Sequence, residues 1–333
     1  MLTPEELTKA GDYVATAISV FETNLLRDIS IRIRNVILDN YNIAEENAKM
    51  TNAIEKQLAI ARENIPKRIN KLVKEENEDK TALKNEIKNR LNLINLSFGI
   101  KIGGILTAIP LANMLYSFVS NNELRAKIIG QPVELTMQYS LRDVADSGVI
   151  SPFGQHYKRF ENIVLESAIT KINKITTDEY LIKEHLTDLW EVSAHYGARN
   201  KGIGIINHES WQGKIYTMDQ LKTVCGLGNG LGLLGWNCRH SFRPFTGKRL
   251  YTDKQLEKFK GKKISYKNKI FDGYQATQMK ATMERRLRAL RREQLVGLQV
   301  GDKIREQTRI YKEFCKVAEI ESEIGRTYLN FKT

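Results

Sequence analysis

Apolar residues recur every three to four positions through the first 95 residues, the spacing of one face of an α-helix. The first such stripe consists of Val14, Ile18, Phe21, Leu25, Ile29, Ile33 and Ile37. Helix-breaking prolines occur in this stretch only at positions 4 and 66. The pattern predicts long helices over residues 3–95, whose apolar face must be covered by other helices of the chain or by another subunit. The first helix is predicted to begin at Thr3, with Pro4 in its first turn and acidic residues near its positive end.

The most apolar stretch follows, over residues 97–119, and reads SFGIKIGGILTAIPLANMLYSFV. It is about long enough to span a bilayer, but two glycines and Pro110 interrupt it. We interpret it as a buried helical hairpin or a broken helix. A membrane span and an interaction segment released on assembly are the alternatives.

The amino-acid composition of the chain changes near residue 190. Residues 133–190 again have helical spacing, but the next sixty are rich in glycine and aromatic residues. There GKIYTM predicts a short strand and CGLGNGLGLLGWN predicts a loop. The sequence thus predicts a mainly α fold with a small loop-rich α+β module. The predicted regions are an N-terminal helical region for partner docking (1–95), a central helical region with the apolar hairpin (96–189), the histidine-, cysteine- and glycine-rich module (190–251) and basic C-terminal helices (252–333).

The net charge of +13 favours a polyanionic partner. Between Lys248 and Glu293, fifteen Lys and Arg residues face five acidic ones, which accounts for most of this excess. Phosphate contact needs cations rather than base-reading geometry, so we expect binding to double-stranded DNA to be independent of sequence. A solvated helix without a ligand is the alternative. The candidate DNA-binding residues are Lys280, Arg285, Arg286, Arg288, Arg291 and Arg292, with a second basic stretch at Lys258, Lys260, Lys262 and Lys263.

Histidine and cysteine concentrate in the module. Three of the five histidines and two of the three cysteines fall there, and an odd, small number of cysteines suits a reducing compartment. Four of these residues could supply the nitrogen and sulfur ligands of a structural zinc ion, namely His195, His208, Cys238 and His240. The alternatives are a buried hydrogen-bond network that holds the loops together, and a catalytic site.

Three motifs occur in order within the module: EVSAHYGAR, HESWQGKIYTM and GLLGWNCRHSFRPF. Together they resemble the successive signatures of the tailed-phage minor capsid protein 2 family, a group similar to phage head-morphogenesis proteins. The motif positions for which the resemblance implies a structural role are Arg199, Trp211, Gln212, Gly213, Asn237 and Arg239. The Gln- and Arg-rich segment at 274–293 is similar to a helix near the C-terminus of such proteins.

The resemblance implies a structural role and no enzymatic activity. It predicts a low-copy protein, made in the host cytoplasm, in the capsid interior or at the portal vertex. The expected partners are the portal protein, a major capsid or scaffold protein and double-stranded DNA, with no membrane. The N-terminal helices are then the candidate portal-docking surface. Two alternatives remain open: a metal-dependent nuclease or toxin-like enzyme that uses the His/Cys module, and a DNA-binding protein outside virions.

Overall fold

The computed structural model describes residues 3–73, 78–94, 98–102, 105–110, 113–153, 156–183 and 188–329. Most of these residues are helical and the strands are short, so the predicted mainly α fold is confirmed. Within these ranges, no helix combines the length and the apolar character needed to cross a bilayer.

The N-terminal region is helical, as predicted, and its described residues form three helices. They span Pro4–Leu38 (α1), Ile43–Leu72 (α2) and Glu78–Ile94 (α3). At the start of α1, the Thr3 hydroxyl oxygen accepts the Glu6 backbone N–H at 3.2 Å, and the Glu6 carboxylate accepts the Thr3 N–H at 2.8 Å. This reciprocal cap satisfies two backbone donors that the start of a helix otherwise leaves open.

The apolar segment after α3 forms strands where a helix was expected. Phe98–Ile102 (β1) pairs antiparallel with Ile105–Ile109 (β2). The predicted helical hairpin or broken helix is therefore wrong for these residues. The physical reason is that β-branched isoleucines favour strands, and a glycine pair between two apolar runs is typical of a two-residue hairpin connection. Residues 97, 103–104 and 111–112 of the segment lie outside the described residues.

The central region is helical, as predicted, apart from this hairpin and a second short one. Its remaining elements are Met114–Ile129 (α4), Val133–Ser147 (α5), Ile150–Phe153 (β3), His156–Arg159 (β4) and Phe160–Lys183 (α6). β3 and β4 pair antiparallel in the register Ile150↔Arg159.

α1 lies at the centre of the helical core. Every residue of its predicted apolar stripe is buried, and α2 and α6 pack along its length while α4 and α5 cover other faces. The helices predicted as separate N-terminal and central regions therefore share one core. The apolar face of α1 is covered by the chain itself. Docking of the N-terminal helices on the portal stays a prediction.

The loop-rich module has its own small sheet and core. Its elements are Leu189–Val192 (β5), His208–Trp211 (α7), Ile215–Thr217 (β6), Met218–Thr223 (α8) and Phe242–Pro244 (β7). β5 is the central strand, with β6 and β7 antiparallel on either side. The strand predicted in GKIYTM is β6, and the glycine-rich stretch 225–237 is a series of turns, as expected.

The C-terminal region is helical with a small hairpin that the sequence interpretation missed. Its elements are Asp253–Lys260 (α9), Ile264–Tyr266 (β8), Lys269–Phe271 (β9), Gly273–Leu295 (α10), Gly301–Val317 (α11) and a 3₁₀ helix at Ile324–Thr327. α10 and α11 form a third apolar cluster with the hairpin. Residues after α10, such as Val296 and Val300, belong instead to the core around α1.

Candidate functional site

Three side chains of the module converge beside its sheet. His208 is the first residue of α7, and Cys238 and His240 lie on the segment that enters β7. Cys238 Sγ is 3.7 Å from His240 Nδ1 and 4.0 Å from His208 Nδ1. The ligand atoms of all three residues lie within 4.8 Å of one another, and each residue is at most 4% exposed. The sequence-predicted convergence of thiol and imidazole therefore holds for these three.

His195, the fourth predicted ligand, lies beside the cluster rather than in it. Its ring is stacked at a tilt on His240, with centroids 4.5 Å apart. Its Nδ1–H donates to the Tyr196 carbonyl at 3.0 Å, and its backbone N–H donates to Gln212 Oε1 at the same distance. His195 therefore packs against His240 and hydrogen-bonds to Gln212, and it is not among the three grouped residues.

The hydrogen bonds around the cluster fix the proton positions on both imidazoles. His208 Nε2 is 2.9 Å from the Leu231 carbonyl, which can only accept, so Nε2 carries the proton. His240 Nε2 is 3.1 Å from Gln212 Oε1. That oxygen is identified as the acceptor because the backbone N–H of His195 also donates to it. Both histidines therefore carry their proton on Nε2 and present the Nδ1 lone pair to the Cys238 sulfur.

Burial keeps every member of the cluster neutral. It lowers the pKa of His208 to about 4 and holds the pKa of His240 well below its usual value, where the nearby imidazoles act in the same direction. It also lowers the pKa of His195 to about 4. Burial raises the pKa of the Cys238 thiol to about 11. At neutral pH the protein thus holds a thiol and two uncharged imidazoles, which is not the ion pair of an activated cysteine nucleophile.

α6 holds the Cys-x-His segment in place. The side-chain amide of Asn173 donates to the Cys238 carbonyl at 3.2 Å and to the His240 carbonyl at 2.7 Å. The Asn237 backbone N–H, just before this segment, donates to Thr170 Oγ1 at 3.1 Å. Sequence reasoning missed Asn173. The available signal was a buried polar residue directly after the apolar helical positions that end at Ile172.

The motif residues build the walls of the cluster. Trp211 is buried, its ring centroid is 4.6 Å from that of His208 and 4.8 Å from that of His240, and its indole N–H donates to the Ile205 carbonyl. Arg199 Nη1 lies 3.5 Å from the Leu231 carbonyl. Trp211 and Arg199 thus contact the histidines of the cluster and the loops around the Cys238 thiol, so the motif residues surround one site.

The remaining motif residues set the path of the chain. Gly213 and Asn237 have left-handed backbones, with φ of 67° and 58°. A Cβ at Gly213 would overlap the end of the Leu256 side chain of α9, so a larger residue there requires Leu256 to move. Burial lowers the pKa of Arg239, and among its charged neighbours are Asp12 and Glu323.

The two acidic residues near the cluster in sequence do not join it. Glu191 is fully buried, with one carboxylate oxygen 2.9 Å from Arg243 Nη2 and the other accepting the Leu250 backbone N–H at 2.7 Å. Glu209, next to His208, is not part of the grouped ligand atoms. Within the described ranges the cluster therefore contains imidazole and thiol donors without a carboxylate.

The six candidate DNA-binding cations of α10 divide into inward and outward sets. Arg285 and Arg286 are exposed, and Arg291 packs over the Tyr328 ring at 3.9 Å from its centroid. The other three are engaged within the protein. Their partners are Glu323 and Glu284 for Lys280, Glu161 at 3.9 Å for Arg288, and the Ala145 carbonyl at 3.1 Å for Arg292. The inward three stabilise the packing of α10 and do not form a free basic face.

The fold and the site define a mainly helical, strongly basic protein with a thiol–imidazole module. The sequence model of phage minor capsid protein 2 matches residues 153–325, more than half of the chain, and the chain belongs to this family. The matched segment includes α6, the whole module and α10. No curated protein and no solved structure matches the chain. The predicted family is confirmed, and membership supports a structural role in a phage virion together with other virion components.

Proposed function

We propose that this protein is a minor head protein that contacts packaged double-stranded DNA and the portal vertex during head assembly or genome delivery. Family membership supports the virion role, and the distribution of exposed charge supports the contact with DNA. The observation that carries the proposal is a basic surface formed by residues 248–269. All nine Lys and Arg residues of this stretch are exposed, and they accompany two acidic residues.

This 248–269 surface replaces the full α10 helix as the main candidate for phosphate contact. The exposed cations are Lys248, Arg249, Lys254, Lys258, Lys260, Lys262, Lys263, Lys267 and Lys269. Some lie in exposed ion pairs, such as Arg249 with Asp253 at 3.0 Å. Exposed pairs of this kind are worth little, so phosphates can displace the acids. Arg285 and Arg286 of α10 add two further exposed cations.

The experiment is a salt titration of binding to duplex DNA of unrelated sequences. Each phosphate contact contributes about −0.9 to the slope of log K against log salt, so five contacts give a slope of about −4.5. The triple variant Lys258→Gln, Lys262→Gln and Lys263→Gln should bind more weakly and reduce the slope by about 3. The matched control, Lys9→Gln, Lys56→Gln and Lys88→Gln, removes the same charge from exposed positions on α1–α3. Equal effects of the two triple variants would refute a localised DNA surface.

The portal or another head protein is the proposed protein partner. The chain itself covers the apolar face of α1, so the proposed docking surface is an exposed one. Exposed apolar side chains gather at the turn between α4 and α5, where Leu124, Ile128 and Leu135 are 54%, 74% and 61% exposed. A photo-crosslinking residue at position 128 should capture a neighbouring head protein in assembled particles. The same residue at Lys88, on the exposed face of α3, should capture none, and equal capture would contradict this surface.

The metal-dependent nuclease is the second candidate function, and the number of grouped ligands favours it. Three protein ligands are the usual set of a catalytic zinc site. The absence of a carboxylate among the described residues of the cluster, and its burial, argue for a structural role. Incubation with DNA and either Mg²⁺ or Zn²⁺ separates the two functions. Cleavage that is lost in Cys238→Ala would refute the structural assignment.

A further inference from the structure

The thiol–imidazole cluster has more hydrogen-bond acceptors than donors at its centre. The Nδ1 lone pairs of His208 and His240 both face Cys238 Sγ, which carries one proton. One thiol proton can satisfy one imidazole, so the other buried lone pair is left without a donor. Leaving a buried polar atom unsatisfied is unfavourable, whereas a cation at this point satisfies the sulfur and both nitrogens together.

The two sulfur-to-nitrogen distances are close to those around a tetrahedral zinc ion, and the third pair of ligand atoms lies within 4.8 Å. Zn–S bonds are about 2.3 Å and Zn–N bonds about 2.0–2.1 Å, so the S···N edge of a tetrahedral site is about 3.5 Å. The observed Sγ···Nδ1 distances of 3.7 and 4.0 Å require small shifts to reach that edge. Nitrogen and sulfur donors without a carboxylate suit Zn²⁺ and not Mg²⁺ or Ca²⁺.

The neighbours of the three residues are those of a metal site. Each ligating imidazole of such a site usually donates its other N–H to an oxygen, which fixes the ring and its tautomer. His208 and His240 do so, to the Leu231 carbonyl and to Gln212 Oε1. Asn173 holds the two carbonyls that flank Arg239. These contacts hold the two Nδ1 atoms and the Cys238 sulfur in positions from which all three can bind one ion.

We propose that His208 Nδ1, Cys238 Sγ and His240 Nδ1 bind one Zn²⁺ ion, with a water molecule as the fourth ligand. On binding, the S–H bond breaks, the S–Zn bond forms, the proton passes to solvent and no electron is transferred. The ion joins the start of α7 to the segment before β7. This link stabilises a module whose own apolar cluster is small, because binding free energy in the folded state adds to stability. The inference is independent of DNA binding.

The first test is the zinc content of the full-length protein, purified without chelator and then titrated with Zn²⁺ alone after chelation. We expect about one zinc ion per chain. Cys238→Ala should weaken zinc binding about 100-fold or more, since it removes a ligand. Cys225→Ala is the matched control, because Cys225 is equally buried in the same apolar cluster and lies outside the ligand group. This control variant should bind zinc as tightly as the unaltered protein does. Substoichiometric zinc, or equal affinities in the two variants, would overturn the proposal.

A second test does not depend on the folding of any variant. Co²⁺ in place of Zn²⁺ should give a sulfur-to-metal charge-transfer band and the intense visible bands of tetrahedral cobalt. X-ray absorption of the zinc form should show one sulfur and two imidazole ligands. A cobalt spectrum without the thiolate band would refute the proposed site. A third imidazole ligand would show that His195, and not water, is the fourth ligand, and would refute that part of the proposal.

Gln212 provides the test of positioning. Gln212→Leu removes the oxygen that accepts from His240 Nε2, and loss of such a partner typically weakens metal binding 10- to 100-fold. Gln212→Glu keeps an acceptor oxygen and should restore most of the affinity. The same loss in both variants would show that the residue acts through packing alone, and would contradict its assigned role.

Discussion

Replacement of Asn173 by alanine removes both hydrogen bonds that join α6 to the Cys-x-His segment. The amide of Asn173 donates to the Cys238 and His240 carbonyls at 3.2 and 2.7 Å. A buried carbonyl left without its donor costs about 1–3 kcal/mol, and the better helix propensity of alanine offsets about 0.6 kcal/mol. With two carbonyls affected, we expect the free energy of unfolding of the module to fall by about 1–5 kcal/mol, which raises its unfolding equilibrium constant roughly 5- to 4,000-fold.

Tryptophan fluorescence during urea unfolding measures this change selectively. All three tryptophans of the chain lie between residues 190 and 236, and Trp190 and Trp211 are buried. The fluorescence transition therefore reports the module, while far-ultraviolet circular dichroism reports the helices of the rest of the chain. Asn85→Ala, at an exposed position of α3, is the matched control and should change stability by less than about 0.5 kcal/mol. A fluorescence midpoint for Asn173→Ala equal to that of the control would refute the argument.

Two further predictions concern the core and the module. Glu22 is buried beside Arg159 and Arg292; burial raises its pKa, but the two cations outweigh burial and hold the pKa below 4.5. The contribution of Glu22 to the free energy of unfolding is therefore complete above pH 4.5 and is lost as the pH falls through the lowered pKa. Glu22→Gln should cost about 3–5 kcal/mol at neutral pH and should lack this acid dependence in unfolding followed by circular dichroism. An unchanged acid transition in the variant would contradict this. Gly213 and Gly204 share a φ of 67°, but a Cβ at Gly213 alone of the two would meet another atom. Gly204→Ala should cost about 1–2 kcal/mol from backbone strain, and Gly213→Ala a further 1–3 kcal/mol, measured by urea unfolding; equal losses would mean that Leu256 moves aside.

Local patterns in the sequence were enough to predict much of this fold. The helical spacing of α1 and its cap at Thr3 depend on neighbouring residues, and both were predicted correctly. The β1–β2 hairpin was not, because a short apolar run fits a buried helix and a buried strand equally well. Its β-branched residues and glycine pair were the signals that favoured the strand.

The site could be predicted in its chemistry but not in its geometry. Rare residue types and ordered motifs indicated that Cys238 and His240 lie close to His208 and His195. His195 lies beside the cluster because its ring nitrogens point elsewhere than those of His208 and His240. The spacing of histidines in the sequence does not predict the direction of a ring nitrogen. Asn173, and the inward contacts of Arg288 and Arg292, could not be predicted because their partners are remote in sequence. Arg292, for example, contacts Ala145, which is 147 residues away.

A contact between residues 314 positions apart has a consequence for biosynthesis. Asp12 in α1 is buried, and Arg326, 314 residues later, lies 3.1 Å from its carboxylate. The core around α1 also includes Val296 and Val300. A nascent chain therefore cannot complete the surroundings of α1 until residue 326 has been translated. A ribosome-bound fragment that ends before residue 296 should therefore leave part of α1 open to proteases or chaperones.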